Sequence, residues 1–248
     1  MYLFGGDRPW DASQFTASDD RVRGGKSQSY LTVMADDAER NPGGGSRAEF
    51  SGNLDITALG GAGFASQRTV DDVVPPPWDL SDYDTLVLDV ARGDGKKYTV
   101  TLKDEVLPKG PDGREQSTVS WEYDFVVGGA DGQQGGGDPA AGSHRVVIPF
   151  RDLRPTYRGR PKPDAKPLDW TGVKRYTFMM RSFFGEQEGD FSIIFNSVAV
   201  EKREEEEIRG CSVDSVADAK QAQEDSSHKG SDKATFSSWV GRLCGWCR

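Results

Sequence analysis

The sequence predicts an all-β protein: a two-sheet antiparallel β-sandwich or jelly roll, with a disordered acidic tail at its C-terminal end. Three observations carry this. Glycine and proline punctuate the chain throughout, with 30 Gly and 13 Pro among 248 residues. Between those breaks lie short runs rich in Val, Ile, Thr, Phe and Tyr, which suit a pleated, half-buried surface. No apolar stripe of helical period and comparable length occurs before residue 203. Strands without intervening helices bury themselves by packing one sheet on another.

In chain order the runs are SQSYLTVM, AEFSGNLDI, GFASQRTV, DTLVLDVA, KYTVTLKD, STVSWEYDFVV, HRVVIPF, RYTFMMRSFF and FSIIFNSVAV. Several alternate with period two. Tyr98, Val100 and Leu102 share one face, and Lys97, Thr99, Thr101 and Lys103 the other. Val119, Trp121, Tyr123 and Phe125 likewise stand opposite Thr118, Ser120, Glu122 and Asp124. Such faces belong to antiparallel sheets packed on one side and wet on the other. Gly93-Asp94-Gly95 predicts a hairpin between two of these strands, because the residues accept positive φ at little cost. Tyr176–Phe184 and Phe191–Val200 read as adjacent strands, apolar at nearly every position because both faces are covered. Glu186–Asp190 would be their exposed turn.

The grammar changes after Glu201. EKREEEEIRG is a charge run, and the Ser/Asp/Lys/Gln-rich stretch after it has few large apolar residues. Residues 1–203 therefore read as the sandwich domain and 204–232 as an acidic, polar, disordered linker. Residues 233–248 read as a short amphipathic helix. Phe236, Trp239, Val240, Leu243 and Cys247 fall on one face of it, able to dock on a partner, a membrane surface or the sandwich. A frayed terminus with a chance pattern is the alternative.

The formal net charge of -9 argues against nonspecific binding to nucleic acid or acidic membranes, although 31 Lys and Arg can still form a local basic face. The opening MYLFGGDRPWDASQF has neither a long apolar core nor an Arg-rich amphipathic pattern, so it does not read as a secretory signal or a mitochondrial presequence. No stretch has the length of a transmembrane helix. Cys211, Cys244 and Cys247 all lie late in the chain, so no disulfide framework holds the core, and a reducing compartment fits.

Little points to catalysis. The only histidines are His144 and His228, no G-x-S-x-G elbow occurs, and every cysteine lies outside the sandwich. Cys244-Gly245-Trp246-Cys247 has redox spacing but no thioredoxin-like frame around it. Neither a P-loop nor a dinucleotide fingerprint is present, and RVRGGKSQS reads as a turn before a strand. Carboxylates are plentiful: Asp19, Asp20, Asp89, Asp94, Asp104, Glu122, Asp124, Glu186, Glu188 and Asp190. A glycosidase would need two of them facing across a cleft, and a structural Ca²⁺ would need several oxygens converging. Spacing supplies neither, so the reading is of a non-enzymatic protein with no cofactor. Sugar binding through Trp78, Trp121, Tyr157 or Trp170 stands as an alternative, with core packing the commoner fate of such rings.

Several segments together carry a resemblance. They are SDDRVRGGKSQSYL, AEFSGNL followed by GGAGFASQRT, YDTLVLDVARGDGKKYTVTLKD, WEYDF, VVIPFRDLRPTYRGR and RYTFMMRSFFGEQEGDFSIIFNSVAV. In this order and spacing, from about Trp10 to Glu201, the chain resembles the complex I intermediate-associated protein 30 family. That resemblance implies a galactose-binding-like jelly roll. It further implies a mitochondrial, chaperone-like assembly factor that holds partly built NADH:ubiquinone oxidoreductase intermediates through protein contacts. With no presequence pattern, a carbohydrate- or small-ligand-binding module in the cytoplasm is the alternative. The partners expected are complex I intermediates or other assembly factors and not nucleic acid. Peripheral membrane contact through the C-terminal segment, and a glycan, stay open.

Residues in these segments that packing explains poorly are the candidate partner-binding positions. Arg21, Arg23 and Lys26 flank a Gly-Gly turn, while Arg92, Asp94 and Lys96 flank the predicted hairpin. Arg151, Tyr157, Arg158 and Arg160 form a basic aromatic loop, and Gln187 and Asp190 frame the acidic turn. Arg and Tyr anchor interfaces well, because they combine contact area with directed hydrogen bonds. The competing reading is internal pairing that fixes loops. For Arg181, inside an apolar strand, internal pairing with an acid is expected.

Overall fold

The computed structural model describes residues 1–35, 45–70, 77–111, 113–128 and 143–203. The expected linker at 204–232 and helix at 233–248 lie outside the described residues. Among the described residues thirteen strands form two antiparallel sheets: β1 (Tyr2–Gly5), β2 (Phe15–Ala17), β3 (Gln28–Ala35), β4 (Ser46–Leu54), β5 (Phe64–Thr69), β6 (Thr85–Arg92), β7 (Lys97–Lys103), β8 (Ser120–Val126), β9 (His144–Pro149), β10 (Arg154–Tyr157), β11 (Arg160–Pro161), β12 (Arg175–Arg181) and β13 (Gly189–Glu201). All nine predicted runs become strands. The four others have two to four residues each, too few to show a period.

One sheet runs β3-β4-β13-β6-β9 with β1 also on β13, and the other runs β11-β10-β8-β7-β12-β5-β2. This arrangement corrects two expectations. β12 and β13 are not hydrogen-bonded neighbours: β12 pairs β5 and β7, whereas β13 pairs β1, β4 and β6. The Gly93–Gly95 turn is likewise no hairpin, since β6 lies in the six-stranded sheet and β7 in the seven-stranded one. Both turns carry the chain from one sheet to the other. Nor is β12 apolar on both faces: Tyr176, Phe178 and Met180 turn to the core, while Arg175, Thr177 and Arg181 turn outward.

The two sheets meet over a continuous aromatic core. Phe178 of β12 lies at its centre, 4.5 Å between ring centroids from Phe195 of β13, 4.9 Å from Tyr176 and 6.0 Å from both Phe15 and Phe50. Trp10 closes one end, and its indole N–H donates to the Asn196 carbonyl at 2.9 Å. That carbonyl sits where β13 slips register between Phe195 and Ser197, so the indole takes up a ladder acceptor that the bulge displaces.

Crossing turns leave backbone N–H groups without ladder partners, and buried donors must be satisfied. Acidic side chains do this between β2 and β3. Asp19 and Asp20 are 3% and 0% exposed. Asp20 accepts from the Ser27 and Phe64 amides at 3.0 and 3.1 Å and from the Ser27 hydroxyl at 2.7 Å. Asp19 accepts from the Ser66 and Ser29 amides at 2.9 and 3.2 Å and from the Ser29 hydroxyl at 2.6 Å. A Cβ on Gly25 would stand 2.2 Å from the Asp20 carboxyl carbon, and Gly24 before it takes a left-handed φ of 85, so each glycine of the pair has its own reason.

One core group lacks such a partner. Tyr176 is fully buried, its hydroxyl makes no hydrogen bond, and burial pushes the phenol well above its usual range. Burying an unpaired hydroxyl costs free energy that removal regains. Tyr176→Phe is therefore expected to raise unfolding stability by about 1 kcal/mol. Urea denaturation checks this, and a loss of similar size would mean that the hydroxyl has a partner in solution.

Candidate functional site

The outward face of the seven-stranded sheet is where the chemistry gathers. Period two places Glu122 and Asp124 of β8, Thr99 and Thr101 of β7, and Arg175 and Arg181 of β12 on this face, opposite the core. It is less wet than the alternation predicts: Thr99 is 0% and Glu122 7% exposed. Long charged side chains lie over the short ones and exclude water.

Arg181 organises the face. Its guanidinium donates to Glu122 at 2.8 Å and to Asp124 at 2.6 Å. Glu122 also accepts from the Thr156 hydroxyl at 2.6 Å, and Asp124 from the Thr99 hydroxyl at 2.6 Å. The expectation that Arg181 pairs internally is met. Beside this network opens a cleft of about 430 Å³ lined by Glu122, Asp124, Asp152, Arg154, Thr156 and Arg181. The Phe183 ring lies 4.7 Å from the Arg181 guanidinium and 4.3 Å from the Lys97 ammonium, two cation–π contacts.

Further along the same face, Arg175 donates to Glu115 at 2.9 Å, and Arg68 reaches the same carboxylate. Lys103 sits next to them, its ammonium 3.1 Å from the Thr118 hydroxyl. Burial pushes this lysine below its usual range. Arg175 and Arg68 add to that, and Glu115 and Glu122 oppose it.

The predicted partner-binding residues fall into two groups. At the end where the chain crosses between sheets, the structure gathers Arg21, Arg23, Lys26, Arg92, Asp94, Lys96, Gln187 and Asp190. Several of these hold the turns themselves. Asp94 accepts from the Tyr98 hydroxyl at 2.9 Å and from the Lys96 and Ser192 amides at 3.0 Å each. Gln187 donates to the Lys97 and Arg181 carbonyls at 2.8 and 2.7 Å and accepts from the Lys97 amide at 3.0 Å. Lys96 donates to the Glu188 carbonyl at 2.6 Å, and Asp190 accepts from Asn53 at 2.7 Å. Arg23 lies 5.5 Å from the Phe64 ring centroid, and Arg21 lies 3.4 Å from Asp19. Lys26 and Arg92 are exposed.

Arg151 lies in a short 3-10 helix (Phe150–Asp152) before β10, and Tyr157, Arg158 and Arg160 lie on β10, β11 and the turn between them. The expected loop is thus a short hairpin added to the sheet edge. Tyr157 is 39% exposed, and Arg158 donates to the Ser117 hydroxyl at 3.2 Å. Arg154, Asp152 and Thr156 of the cleft escape the sequence reading. Alternation on β10 would have found Arg154 and Thr156 only if its pairing with β8 were known.

Of the four rings considered for sugar stacking, the three indoles are packed and Tyr157 is exposed. Trp170 stacks on Phe150 at 3.9 Å with planes 6° apart, and Trp78 and Trp121 pack partly buried against the core. Glu122 and Asp124 share one guanidinium, which leaves the face arranged to hold charges in fixed positions. Among the described residues, no group of three or more His, Cys, Asp and Glu is placed to hold a metal ion.

Fold and site together define an antiparallel β-sandwich with an ion-paired outer face and a polar cleft. The sequence profile of the complex I intermediate-associated protein 30 family matches residues 3–194, and the chain belongs to that family. An uncharacterized protein of Schizosaccharomyces pombe is 39% identical over 198 residues, covering 80% of this chain and 82% of its own length. Among solved structures, CtCBM11 aligns at 13% identity over 77% of this chain and 90% of its own, with a TM-score of 0.43. The carbohydrate-binding module CBM28, described as specific for non-crystalline cellulose, aligns at 13% identity over 68% and 79%, with a TM-score of 0.31.

Two predictions follow from the charged face. Arg181→Ala strands Glu122 in a water-poor site and should cost roughly 2–3 kcal/mol of stability, discounted for the partial exposure of Asp124. Adding Glu122→Gln should recover part of that loss in urea titrations. For Lys103 the native state binds the proton less readily than the unfolded chain. The penalty is therefore full at neutral pH and fades as pH rises through the lowered value towards the ordinary 10.5. Lys103→Met should then melt higher than the parent at pH 7, with the difference shrinking by pH 10. Tyr98, whose hydroxyl is raised by burial, is common to both proteins and cancels from the comparison.

Proposed function

We propose that the chain is a non-enzymatic assembly factor of mitochondrial complex I, holding partly built intermediates through protein–protein contacts. One observation carries the reading: the family profile spans residues 3–194, from β1 into β13, and so takes in nearly the whole sandwich. The charged face is consistent with it. One guanidinium and two hydroxyls hold the two carboxylates in place, in ion pairs that favour their charged form over proton exchange. The same groups make a pre-shaped recognition surface, since a binding partner need not order them. The packed indoles also favour a protein partner over stacked sugar rings.

The test is native electrophoresis of isolated mitochondria, probing the endogenous protein together with complex I subunits. Co-migration with subcomplexes smaller than the finished enzyme, and absence from the finished enzyme, is the expected result. Confinement to the cytosol, free of those subunits, would sink the assembly role.

A further inference from the structure

The turn that carries the chain from β12 to β13 holds one feature that packing does not account for. Phe184 is 94% exposed, the highest value among the exposed large apolar residues described, of which Val22 at 66% is next. It also stands in the left-handed region at φ 64, directly after Phe183 at φ 46. Two consecutive bulky residues there cost free energy, and such strain persists only where the surroundings over-determine it.

The surroundings do so here. The Ser182 carbonyl accepts from the Gly185, Glu186 and Gln187 amides at 3.0, 2.9 and 3.3 Å. Ser182 and Gly63 exchange two further bonds, at 3.0 and 3.1 Å. The Gln187 amide clamps the ends of β7 and β12, and the Phe183 ring meets both Lys97 and Arg181. One phenylalanine anchors the turn, and the next is held out into solvent.

We propose that Phe184 is a rigid binding knob whose ring enters an apolar pocket, bordered by lysine or arginine, on a protein partner. This rests on the reading that the chain works through protein contacts, and it names the residue and the chemistry of the contact. Preorganisation supports it, since a backbone already fixed loses little entropy on binding, and aromatic anchors dominate interface energetics. Charge selects the partner. Glu186 and Glu188 follow the ring on the exposed turn. Glu186 is opposed by Lys97 at 3.3 Å, while no cation among the described residues pairs with the Glu188 carboxylate. Lys96 reaches only the Glu188 carbonyl, at 2.6 Å, so the Glu188 carboxylate is left to face a basic rim, and one ring alone anchors a protein to lipid only weakly.

The test compares full-length wild type with Phe184→Ala, Phe184→Gly, Phe184→Leu and Glu188→Lys. Proteins recovered with the wild type from native extracts are quantified, and the partner whose recovery depends on Phe184 is purified for direct titration. Expected are an at least tenfold weaker Kd for Phe184→Ala, partial rescue by Phe184→Leu and weakening by Glu188→Lys. Melting temperature should be unchanged in Phe184→Ala and raised in Phe184→Gly, where glycine relieves the left-handed strain. Should Phe184→Ala fold poorly, Phe184→Gly decides alone.

Wild-type Kd in both Ala and Gly variants would overturn the knob. So would Phe184-dependent sedimentation with vesicles of phosphatidylcholine and phosphatidylserine in the absence of protein. A Phe184-dependent partner unrelated to complex I would sustain the knob and sink the assembly role. A wild type that recovers no protein would overturn both.

Discussion

The structure depends on how it satisfies backbone amides where strands leave one sheet for the other. A hairpin closes its own hydrogen bonds, but a crossing does not, and every exposed N–H near the core must find an acceptor. Here polar side chains supply them. Asp19 and Asp20 serve the crossing from β2 to β3, Asp94 the crossing from β6 to β7, and Gln187 the one from β12 to β13. Each reaches at least one strand distant in sequence. Asp94, for example, binds the amide of Ser192, 98 residues away. The same crossings set the close approaches of glycine: a Cβ on Gly93 would stand 2.4 Å from the Val127 carbonyl.

This anchoring connects the core to the surface chemistry. β12 lies at the centre of both. Its inward side chains include Phe178, packed against rings from both sheets, and its outward ones include Arg181, which draws Glu122 and Asp124 together. Because the strand is fixed by the aromatic core, the guanidinium is fixed too, and the cleft beside it has a defined shape. The turn after β12 inherits that rigidity through Gln187 and Phe183, which is how a strained, solvent-facing Phe184 is maintained. Stability of the core and definition of the recognition surface are thus one property seen from two sides.

Much of this was legible beforehand, and the misses have a common cause. All nine predicted runs became strands, and the faces of β7 and β8 were assigned by alternation alone. Arg181 was expected to pair with an acid, because an unpaired cation in an apolar strand is too costly. Two turns were misread, however, because Gly-Asp-Gly and the acidic Gly185–Gly189 segment permit positive φ equally well in a hairpin or a crossing. Arg154 and Thr156 of the cleft went unnoticed because β10 is four residues long, and its place beside β8 leaves no local mark. Lys103 looked like one member of a wet face. Only its neighbours Arg175, Glu115 and Arg68, brought by three separate segments, make it a buried charge.

By itself, then, the sequence determined what alternation and residue size can encode: strand positions, inward and outward faces, an aromatic core and the family to which the chain belongs. These depend on side chains close in sequence and on their solvation, so they survive without knowledge of partners. Tertiary structure decided which strands pair, that consecutive strands cross between sheets, and which charges meet on the outer face. Those outcomes follow from long-range hydrogen-bond satisfaction. A carboxylate such as Asp20 or Asp94 becomes a structural clamp only when an amide from a distant strand arrives within 3.1 Å of it.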